Sequence, residues 1–235
     1  MENRNYKDIS VIIPAYCEEE NLIHLIPRII AIFKLSKISF EILVVDTTQP
    51  LDETEALCQK YRIKYLKRLD NNSYGSAIRT GVKEAHGQFI LFMDADGSHT
   101  PEFIPKLLKF RHKYEIIVAS RYVGNGKTEN NLLLNIMSRI LNWTYAYILS
   151  IPCKDVSNSF KIYRTRDIKS LKLKSNNFDI VEEIIYKVCQ NNPSIKIKEV
   201  PFYFKKRMFG ETKRNLFIFI ITFIFTIFKL RFGMK

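Results

Sequence analysis

The sequence QFILFMDAD occupies residues 88–96 and joins an apolar run to two acidic residues. The run from Gln88 to Met93 is short and strongly apolar, which predicts a buried strand that stops at Asp94. A pattern of small residues from Tyr74 to Ala85 predicts a helix before this strand, and Pro101 to Tyr114 predicts another after it. A strand between two helices is typical of an α/β domain with a mostly parallel sheet.

The same alternation extends along the first half of the chain. Further strands are predicted at Ser10 to Pro14, Glu41 to Val45, Ile63 to Leu66 and Glu115 to Ala119, and helices at Glu18 to Lys34 and Glu53 to Tyr61. After about residue 130 the pattern is less regular, with a helix at Leu132 to Ile151, a strand at Ser159 to Tyr163, a helix at Asp179 to Cys189 and an extended stretch at Ile195 to Phe204. We therefore expect an α/β fold with a mostly parallel, Rossmann-like nucleotide-binding sheet flanked by helices.

The composition of the chain indicates a packed, basic protein without disulfide bonds. The chain has 235 residues, 46% of them hydrophobic, which favours one packed domain over a disordered chain. The formal net charge of +13 favours anionic partners such as phosphates, acidic membrane surfaces or nucleic acid. The four cysteines are widely spaced and form no CxxC pair, so we expect reduced core thiols in a cytosolic protein.

Polar side chains follow the predicted strands at their carboxyl ends, where open parallel sheets bind ligands. These residues are Tyr16 and Glu18 after the first strand, Asp46 after the second, Asp94 and Asp96 after the strand at 88–93, and Arg121 after the strand at 115–119. We expect all of them to meet at one edge of the sheet.

Asp94 and Asp96 form a DxD motif. The chain has no GxGxxG after its first strand and no GxxxxGK[ST] motif, so a glycine-rich loop does not hold a diphosphate here. Carboxylate oxygens suit Mg²⁺ or Mn²⁺, and such a cation can bridge two phosphate oxygens. The alternative interpretation is a solvated turn, but the position after a buried strand favours a metal site.

Several motifs together resemble the family-two inverting nucleotide-sugar glycosyltransferases, and within them the dolichol-phosphate mannose synthase-like branch, which makes polyprenyl-phosphate hexoses. The likeness spans almost the whole chain. The motifs are Val11 to Tyr16 with Glu18, Val44 to Asp46, Tyr74 to Ala77 with Gly81, Met93 to His99, Ser120 to Gly126, Phe160 to Arg164, Glu199 to Pro201 and Arg207 to Lys213.

The resemblance implies a GT-A-like fold and a role for each matching residue. The nucleoside of GDP-mannose or a UDP-hexose would lie against Pro14, Tyr16, Glu18 and Asp46, and the metal with the diphosphate would lie on Asp94 and Asp96. The catalytic group would be Asp96 with Arg121, Arg207 and Lys213, whose cationic side chains face the phosphates. The implied reaction moves a hexose to a polyprenyl phosphate, with residues 1–129 as the nucleotide-sugar half and 130–214 as the acceptor half.

Several residues depart from the pattern of this family, among them Thr48 and Gln49, which stand where Gly-Ser is usual. Thr47 stands where a second acidic residue is usual, Ser73 and Ser159 stand where glycines are usual, and Leu134 stands where a basic residue is usual. These substitutions leave two other interpretations open. One is a transferase that adds a sugar to a glycan hydroxyl, with a general base among Asp155, Asp179, Glu182 and Glu183. The other is a catalytically impaired scaffold.

The carboxyl-terminal segment, residues 215–235, is predicted to form an apolar helix. Its uninterrupted part, Leu216 to Phe228, covers about 20 Å at about 1.5 Å per residue, less than the ~30 Å hydrocarbon core of a bilayer. We expect it to lie in a membrane interface or to join two copies of the chain, which places the protein peripherally on the cytosolic face of a membrane. Nucleic acid is not an expected partner, because the aromatic residues fall mostly in predicted core elements.

Overall fold

The computed structural model describes residues 7–209 and 216–232, with side chains in the last helix from residue 223 onward. Within these residues, seven strands form one sheet and two short strands form a second. The large sheet contains β1 (Lys7–Pro14), β2 (Phe40–Asp46), β3 (Lys64–Lys67), β4 (Gly87–Phe92), β5 (Ile116–Ser120), β7 (Lys161–Arg164) and β8 (Ile197–Pro201). The small sheet pairs β6 (Lys127–Thr128) with β9 (Tyr203–Phe204).

Helices cover both faces of the large sheet. They are α1 (Glu19–Ser36), α2 (Thr54–Tyr61), α3 (Tyr74–Glu84), α4 (Ile104–Leu108), α5 (Leu132–Ile148), α6 (Thr165–Lys169), α7 (Ile180–Asn191) and α8 (Leu216–Phe232). Side chains from α1, α2 and α4 pack on one face, and side chains from α3 and α5 to α8 pack on the other. Alternate residues of β1 enter the two cores, with Val11 in the first and Ile12 in the second, as the two-residue period of a strand requires.

The strand order of the large sheet is β3-β2-β1-β4-β7-β5-β8. All neighbouring pairs are parallel except those of β7, which runs antiparallel between β4 and β5. Strands from both halves of the chain therefore belong to a single sheet. The strand order reverses at β1: β2 and β3 are added on one side of it and β4 on the other, and such a switch point creates a crevice at the carboxyl ends of the strands.

The α/β fold with a mostly parallel sheet, predicted from the sequence, is confirmed. The helix expected over Pro101 to Tyr114 is shorter: a 3₁₀ turn at Pro101–Phe103 leads into α4. After Leu108 most of the backbone bonds span three residues, as in Phe110 N to Leu107 O, so the chain continues in tighter turns. The short elements β6 and α6 were not expected from the sequence.

Helix α8 packs against the domain through its described residues. The Phe223 ring meets the Tyr145 ring of α5 edge-on at a centroid distance of 4.7 Å, and Ile227 is buried. Lys229 Nζ lies 3.9 Å from Asp179 Oδ2 at the start of α7. Within the part of the chain that the structure describes, no helix is both long enough and apolar enough to cross a membrane.

Gly75, in the first turn of α3, approaches the loop at residues 175–176 closely. A Cβ on Gly75 would lie 2.1 Å from the Ser175 carbonyl oxygen, and the Gly75 N–H donates to Asn176 O at 2.7 Å. The atoms that a Cβ would meet belong to the backbone of Ser175 and Asn176, and backbone atoms cannot move aside as a flexible side chain can. We expect Gly75→Ala to destabilise the protein by about 3 kcal/mol, which corresponds to roughly 6–12 °C in Tm for a chain of this size.

Thermal unfolding followed by circular dichroism measures this effect. Lys83→Ala, at an exposed position of the same helix, is the matched control and should melt like the parent protein. A Gly75→Ala protein that also melts like the parent would show that the loop at 175–176 moves freely away from α3.

Candidate active site

The carboxyl edges of β1, β2 and β4 bring the predicted residues together. Pro14 is the buried last residue of β1 and pairs in register with Val45 of β2. Tyr16 and Glu18 follow β1, Asp46 ends β2, and Asp94 and Asp96 follow β4. Because β1 lies between β2 and β4, these side chains surround the crevice that the switch point creates.

Asp94 is held by two hydroxyl groups from different elements. Tyr74 Oη donates to Asp94 Oδ1 at 3.1 Å, and Ser159 Oγ donates to Asp94 Oδ2 at 2.9 Å. The side chain of Asp94 keeps 29% of its surface exposed. The carboxylate is therefore oriented by the protein and still accessible from the crevice.

Asp96 lies in a tight loop that ends at Ser98. The Ser98 N–H and hydroxyl both donate to Asp96 Oδ1, at 3.0 and 2.6 Å. Gly97 has φ +79°, and a Cβ there would come within 2.6 Å of Met208 Cγ, so only glycine fits both the backbone angle and the space. Since both Ser98 bonds fall on Oδ1, the second oxygen of Asp96 is available to a cation.

The segment 205–209 covers the DxD loop. Met208 N donates to Asp96 O at 2.9 Å, and Phe209 N donates to Asn21 Oδ1 at 3.2 Å. Arg207 Nη2 lies 3.1 Å from Glu18 Oε1. The structure thus brings Arg207 to the same crevice as Glu18 and Asp96, whereas Lys213 falls outside the described residues.

Glu18 is a partly buried carboxyl group in contact with this segment. Burial raises its pKa above the usual value, and hydrogen bonds from Asn21 Nδ2 and Arg207 offset part of that rise. The nearby negative charge of Asp96 raises it further. The positive charge of Arg207 therefore offsets part of the repulsion between the Glu18 and Asp96 carboxylates.

Asp46 is 1% exposed at the end of β2. Burial raises its pKa, while a backbone bond from Thr47 and the Tyr65 hydroxyl oppose the rise. Tyr65 Oη donates to Oδ2 at 3.1 Å, and Oδ1 has no hydrogen-bond partner among the described residues. A buried acceptor without a partner is costly, and the N–H of a bound base would satisfy it.

Arg68 is a buried cation beside Asp46 that the sequence analysis did not identify. It is 6% exposed, and its guanidinium donates to the carbonyl oxygens of Ala15 and Asn72. Its Cζ lies 6.0 Å from the centre of the Tyr16 ring, and within the described part of the chain its Nε has no hydrogen-bond partner. An arginine just after a short edge strand carried no recognisable motif, and only the fold places it in the crevice.

Arg121 forms a buried ion pair instead of extending freely into the crevice. Its Nε and Nη2 donate to the two carboxylate oxygens of Asp155 at 2.9 and 2.6 Å, and Asp155 is fully buried. Although burial alone lowers the pKa of Arg121, the Asp155 carboxylate raises it above its usual value. The predicted contact of Arg121 with phosphate therefore requires guanidinium N–H groups that do not bind Asp155.

His99 supports the DxD loop from below. The ring is fully buried and stacks on Phe160 at 4.7 Å. Its Nδ1 accepts from Asp94 N at 3.0 Å, so its Nε2 carries the proton and donates to Asn158 Oδ1 at 3.2 Å. Both ring nitrogens are engaged in hydrogen bonds, so His99 supports the DxD loop and has no ring nitrogen left to bind a metal ion.

The departures at Thr47 and Ser73 have local explanations. Thr47 is fully buried, and its hydroxyl donates to Gln49 O at 2.5 Å, which closes the turn after β2. Ser73 precedes α3, and its Oγ accepts from Ser76 N at 3.2 Å as an N-cap. Such a cap stabilises a helix by about 1 kcal/mol. At both positions the hydroxyl group that this chain has in place of the usual residue therefore makes a local hydrogen bond.

Asp94 and Asp96 fit a divalent cation whose remaining ligands come from a bound diphosphate and water. Among the described residues, no group of three or more histidine, cysteine, aspartate or glutamate side chains could hold a metal ion. Mg²⁺ and Mn²⁺ sites commonly use one or two carboxylates and take the remaining oxygens from substrate phosphates and water. Asp94 and Asp96 supply that minimal set.

The chain matches the model of "Glycosyl transferase family 2" over residues 10–172. It is 35% identical over 212 residues to a dolichol-phosphate mannosyltransferase of Pyrococcus furiosus, covering 87% of this chain and 58% of that protein. It is 30% identical to a dolichol-phosphate mannosyltransferase of Saccharomyces cerevisiae, covering 88% of this chain and 80% of that protein. The chain thus spans little more than half of the first relative's length.

Two further matches extend the comparison. An undecaprenyl-phosphate 4-deoxy-4-formamido-L-arabinose transferase of Yersinia pestis is 26% identical, over 91% of this chain and 64% of that protein. Glucosyl-3-phosphoglycerate synthase of Mycobacterium tuberculosis, crystallised with Mg²⁺ and uridine diphosphate, superposes with a TM-score of 0.73 at 16% identity, over 97% of this chain and 80% of that one. This last likeness shows a shared fold.

We expect Asp96→Ala to weaken metal-dependent binding of a nucleoside diphosphate about a hundredfold, the equivalent of roughly 2.7 kcal/mol, because it removes a carboxylate that the protein supplies to the cation. Isothermal titration with uridine or guanosine diphosphate in the presence of Mn²⁺ measures this. Glu102→Ala, which removes an exposed carboxylate paired with Arg28 on the protein surface, is the control. Unchanged affinity in a folded Asp96→Ala protein would exclude the metal role.

Proposed function

Because the chain belongs to glycosyl transferase family 2, we propose that it moves a hexose, with inversion, from a nucleotide-diphosphate sugar to a polyprenyl phosphate. In this proposal Asp94 and Asp96 hold Mg²⁺ or Mn²⁺, which neutralises the diphosphate leaving group. The named activities of the relatives from P. furiosus, S. cerevisiae and Y. pestis support an acceptor of the polyprenyl-phosphate class.

The observation that carries the choice of acceptor concerns general bases. A sugar hydroxyl must lose a proton as it attacks, whereas a phosphate monoester is already anionic at neutral pH. Asp155 is paired with Arg121, and Glu183 accepts from the backbone of Lys174 and Ser175 and from Lys187 Nζ. Although burial raises the pKa of Glu183, these hydrogen bonds lower it below the usual value, which makes it a weak base.

The two other candidate bases are also engaged. Asp179 accepts from Asn177 N at 3.0 Å and lies near Lys229 at the start of α7. Glu182 is 7% exposed, and its charge acts on Arg121 and Lys161. An acceptor that needs no base fits this arrangement better than a hydroxyl does.

The chain contributes charge and orientation to the proposed transfer. An acceptor phosphate oxygen attacks the anomeric carbon from the face opposite the diphosphate, and the bond to the diphosphate breaks as the new bond forms. Both reactants are anionic, and two unit charges 4 Å apart still repel by about 4 kcal/mol at a partly buried site. Arg207, beside Glu18 and the DxD loop, is placed to reduce that repulsion, and we propose the same for Arg121 and Lys213.

The nucleoside is proposed to lie between Tyr16 and the end of β2. Asp46 Oδ1 would accept an N–H of the base, and Arg68 Nε would donate to a base carbonyl, since neither atom has a partner in residues 7–209 or the described part of α8. Both uracil and guanine present such a pair of groups, so UDP-hexoses and GDP-mannose are the proposed donors. Pro14 and Glu18 form the neighbouring walls of the crevice.

The surface supports contact with a membrane. Helix α5 exposes Leu132 at 75%, Leu133 at 64%, Trp143 at 66% and Tyr147 at 74%, and Trp143 stacks on Tyr147 at 5.5 Å. Helix α8, packed on α5, exposes Phe225 and Phe232. Apolar surface of this extent is uncommon on a protein fully surrounded by water, and tryptophan and tyrosine favour the bilayer interface.

Leu134, near the start of α5, extends the exposed apolar surface of that helix. This accounts for an apolar residue at a position where a basic one is usual. The four cysteines are free thiols, the state expected in a reducing compartment. The expectation of core thiols holds for three of them, whereas Cys17 is exposed. We therefore propose a peripheral position on the cytosolic face of a membrane, where the apolar surface of α5 and α8 meets the lipid that carries the acceptor.

We expect labelled hexose to appear on a polyprenyl phosphate and not on a free oligosaccharide when the protein is incubated with both acceptors, Mn²⁺ and either GDP-mannose or a UDP-hexose. Chromatography of the lipid and aqueous phases measures the products. Asp96→Ala, the control for transfer by this site, should abolish labelling. Label found only on the oligosaccharide, and lost in Asp179→Asn, would establish the hydroxyl-acceptor alternative.

We expect the double variant Leu133→Glu/Trp143→Glu to weaken binding to vesicles of phosphatidylcholine and phosphatidylglycerol at least tenfold, because each substitution places a charge where apolar surface meets lipid. Flotation measures the bound fraction. Leu35→Glu, at an equally exposed apolar residue on α1 (80% exposed), is the matched control. Equal flotation of the double variant and the parent would exclude α5 from the membrane contact.

A further inference from the structure

Two hydroxyl groups meet the Asp94 carboxylate, one on each oxygen. Tyr74 is the first residue of α3, and Ser159 lies just before β7. Their donor distances of 3.1 and 2.9 Å make two hydrogen bonds to a charged acceptor, which are stronger than bonds between neutral groups. These elements are 85 residues apart in sequence number, from Tyr74 to Ser159, so only the folded sheet brings them together.

The Ser159 hydroxyl distinguishes this chain from the usual pattern of the family, in which glycine stands at this position. Glycine has no side chain that could donate a hydrogen bond to Asp94. Ser159 is 9% exposed and follows a segment with fixed geometry. Lys161 Nζ donates to the carbonyl oxygens of Val156 and Asn158. Asn158 Nδ2 in turn donates to Ala119 O at 2.5 Å. The hydroxyl is therefore set in place before any ligand arrives.

The Tyr74 hydroxyl is fixed in a similar way. The Tyr74 ring stacks on Phe178 with a centroid distance of 4.4 Å. The next residue, Gly75, donates from its backbone to Asn176 O, so α3 and the loop at 175–178 hold the ring from two directions. Removing the hydroxyl alone, as in Tyr74→Phe, leaves this packing intact.

We propose that Tyr74 and Ser159 are positioning residues that hold the Asp94 carboxylate in one orientation and so set the affinity of the site for a divalent cation with a nucleoside diphosphate. The inference rests on the proposed function. A carboxylate oxygen has two lone pairs, so each oxygen of Asp94 keeps one for the cation after it accepts a hydroxyl. Groups that orient a metal ligand typically change metal affinity 10- to 100-fold when they are removed.

The test measures binding, so that it does not depend on turnover. Uridine diphosphate and guanosine diphosphate are each titrated into the full chain by calorimetry, with and without Mn²⁺. We expect Ser159→Ala and Tyr74→Phe each to weaken Mn²⁺-dependent binding about tenfold and to leave metal-free binding unchanged. Ser159→Thr, which keeps the hydroxyl, should retain the parent affinity.

A double-variant cycle separates positioning from a general structural effect. If Ser159 acts through Asp94, Ser159→Ala should cause no further loss in an Asp94→Asn background. Tyr61→Phe and Ser170→Ala, at positions remote from the crevice, are the matched controls for each hydroxyl deletion. Thermal unfolding of every variant confirms that it is folded at the temperature of the titration.

The outcomes distinguish this inference from the proposed function. Parent-like Mn²⁺-dependent affinity in Ser159→Ala and Tyr74→Phe, together with a loss in Asp94→Asn, would overturn the positioning role and leave the proposed function intact. Equal losses with and without Mn²⁺ would also overturn it, because a positioning role through the metal ligand predicts a metal-dependent loss. A parent protein that binds neither nucleotide with Mn²⁺ would overturn the proposed function and this inference together.

Discussion

The reversed strand β7 is the constraint on which the site depends. It lies between β4 and β5 and runs antiparallel to both. Residues that precede β7 therefore lie at the edge where β4 and β5 end, which is the edge that carries the ligand crevice. This is why Asp155, Asn158 and Ser159 contact Arg121, His99 and Asp94, which come from three other segments. In a fully parallel sheet the residues before the strand would lie at the opposite edge.

Buried charges make this arrangement rigid. The Arg121–Asp155 pair joins the end of β5 to the segment before β7, and Lys161 binds two carbonyl oxygens of the same segment. Breaking one partner of such a buried pair costs about 3–5 kcal/mol, because the other charge remains buried and uncompensated. The network therefore resists the small displacements that would move Ser159 away from Asp94.

The protein has a charged crevice in one region and an exposed apolar surface in another. The crevice gathers carboxylates and cations at the carboxyl ends of the strands, with segment 205–209 closed over the DxD loop through Met208 and Arg207. Helices α5 and α8 instead expose aromatic and aliphatic side chains. Tyr122 connects the two regions, since its ring contacts both Arg121 and Arg139 of α5, at 5.0 and 4.8 Å. The proposed transfer from a water-soluble nucleotide sugar to a lipid-borne phosphate would use these two neighbouring surfaces.

The sequence by itself determined the fold class, the family and the edge of the sheet where the polar residues gather. Each of these follows from local information: the apolar strand at 88–93, the two-residue and helical periodicities, and motifs such as Met93 to His99. The resemblance to family-two glycosyltransferases of the dolichol-phosphate mannose synthase-like branch is confirmed. Only the tertiary structure decided which partners these residues have. The pairing of Arg121 with Asp155, the buried Arg68 beside Asp46 and the two hydroxyls on Asp94 all join segments far apart in the chain, and no local pattern encodes a contact that exists only after the sheet has assembled.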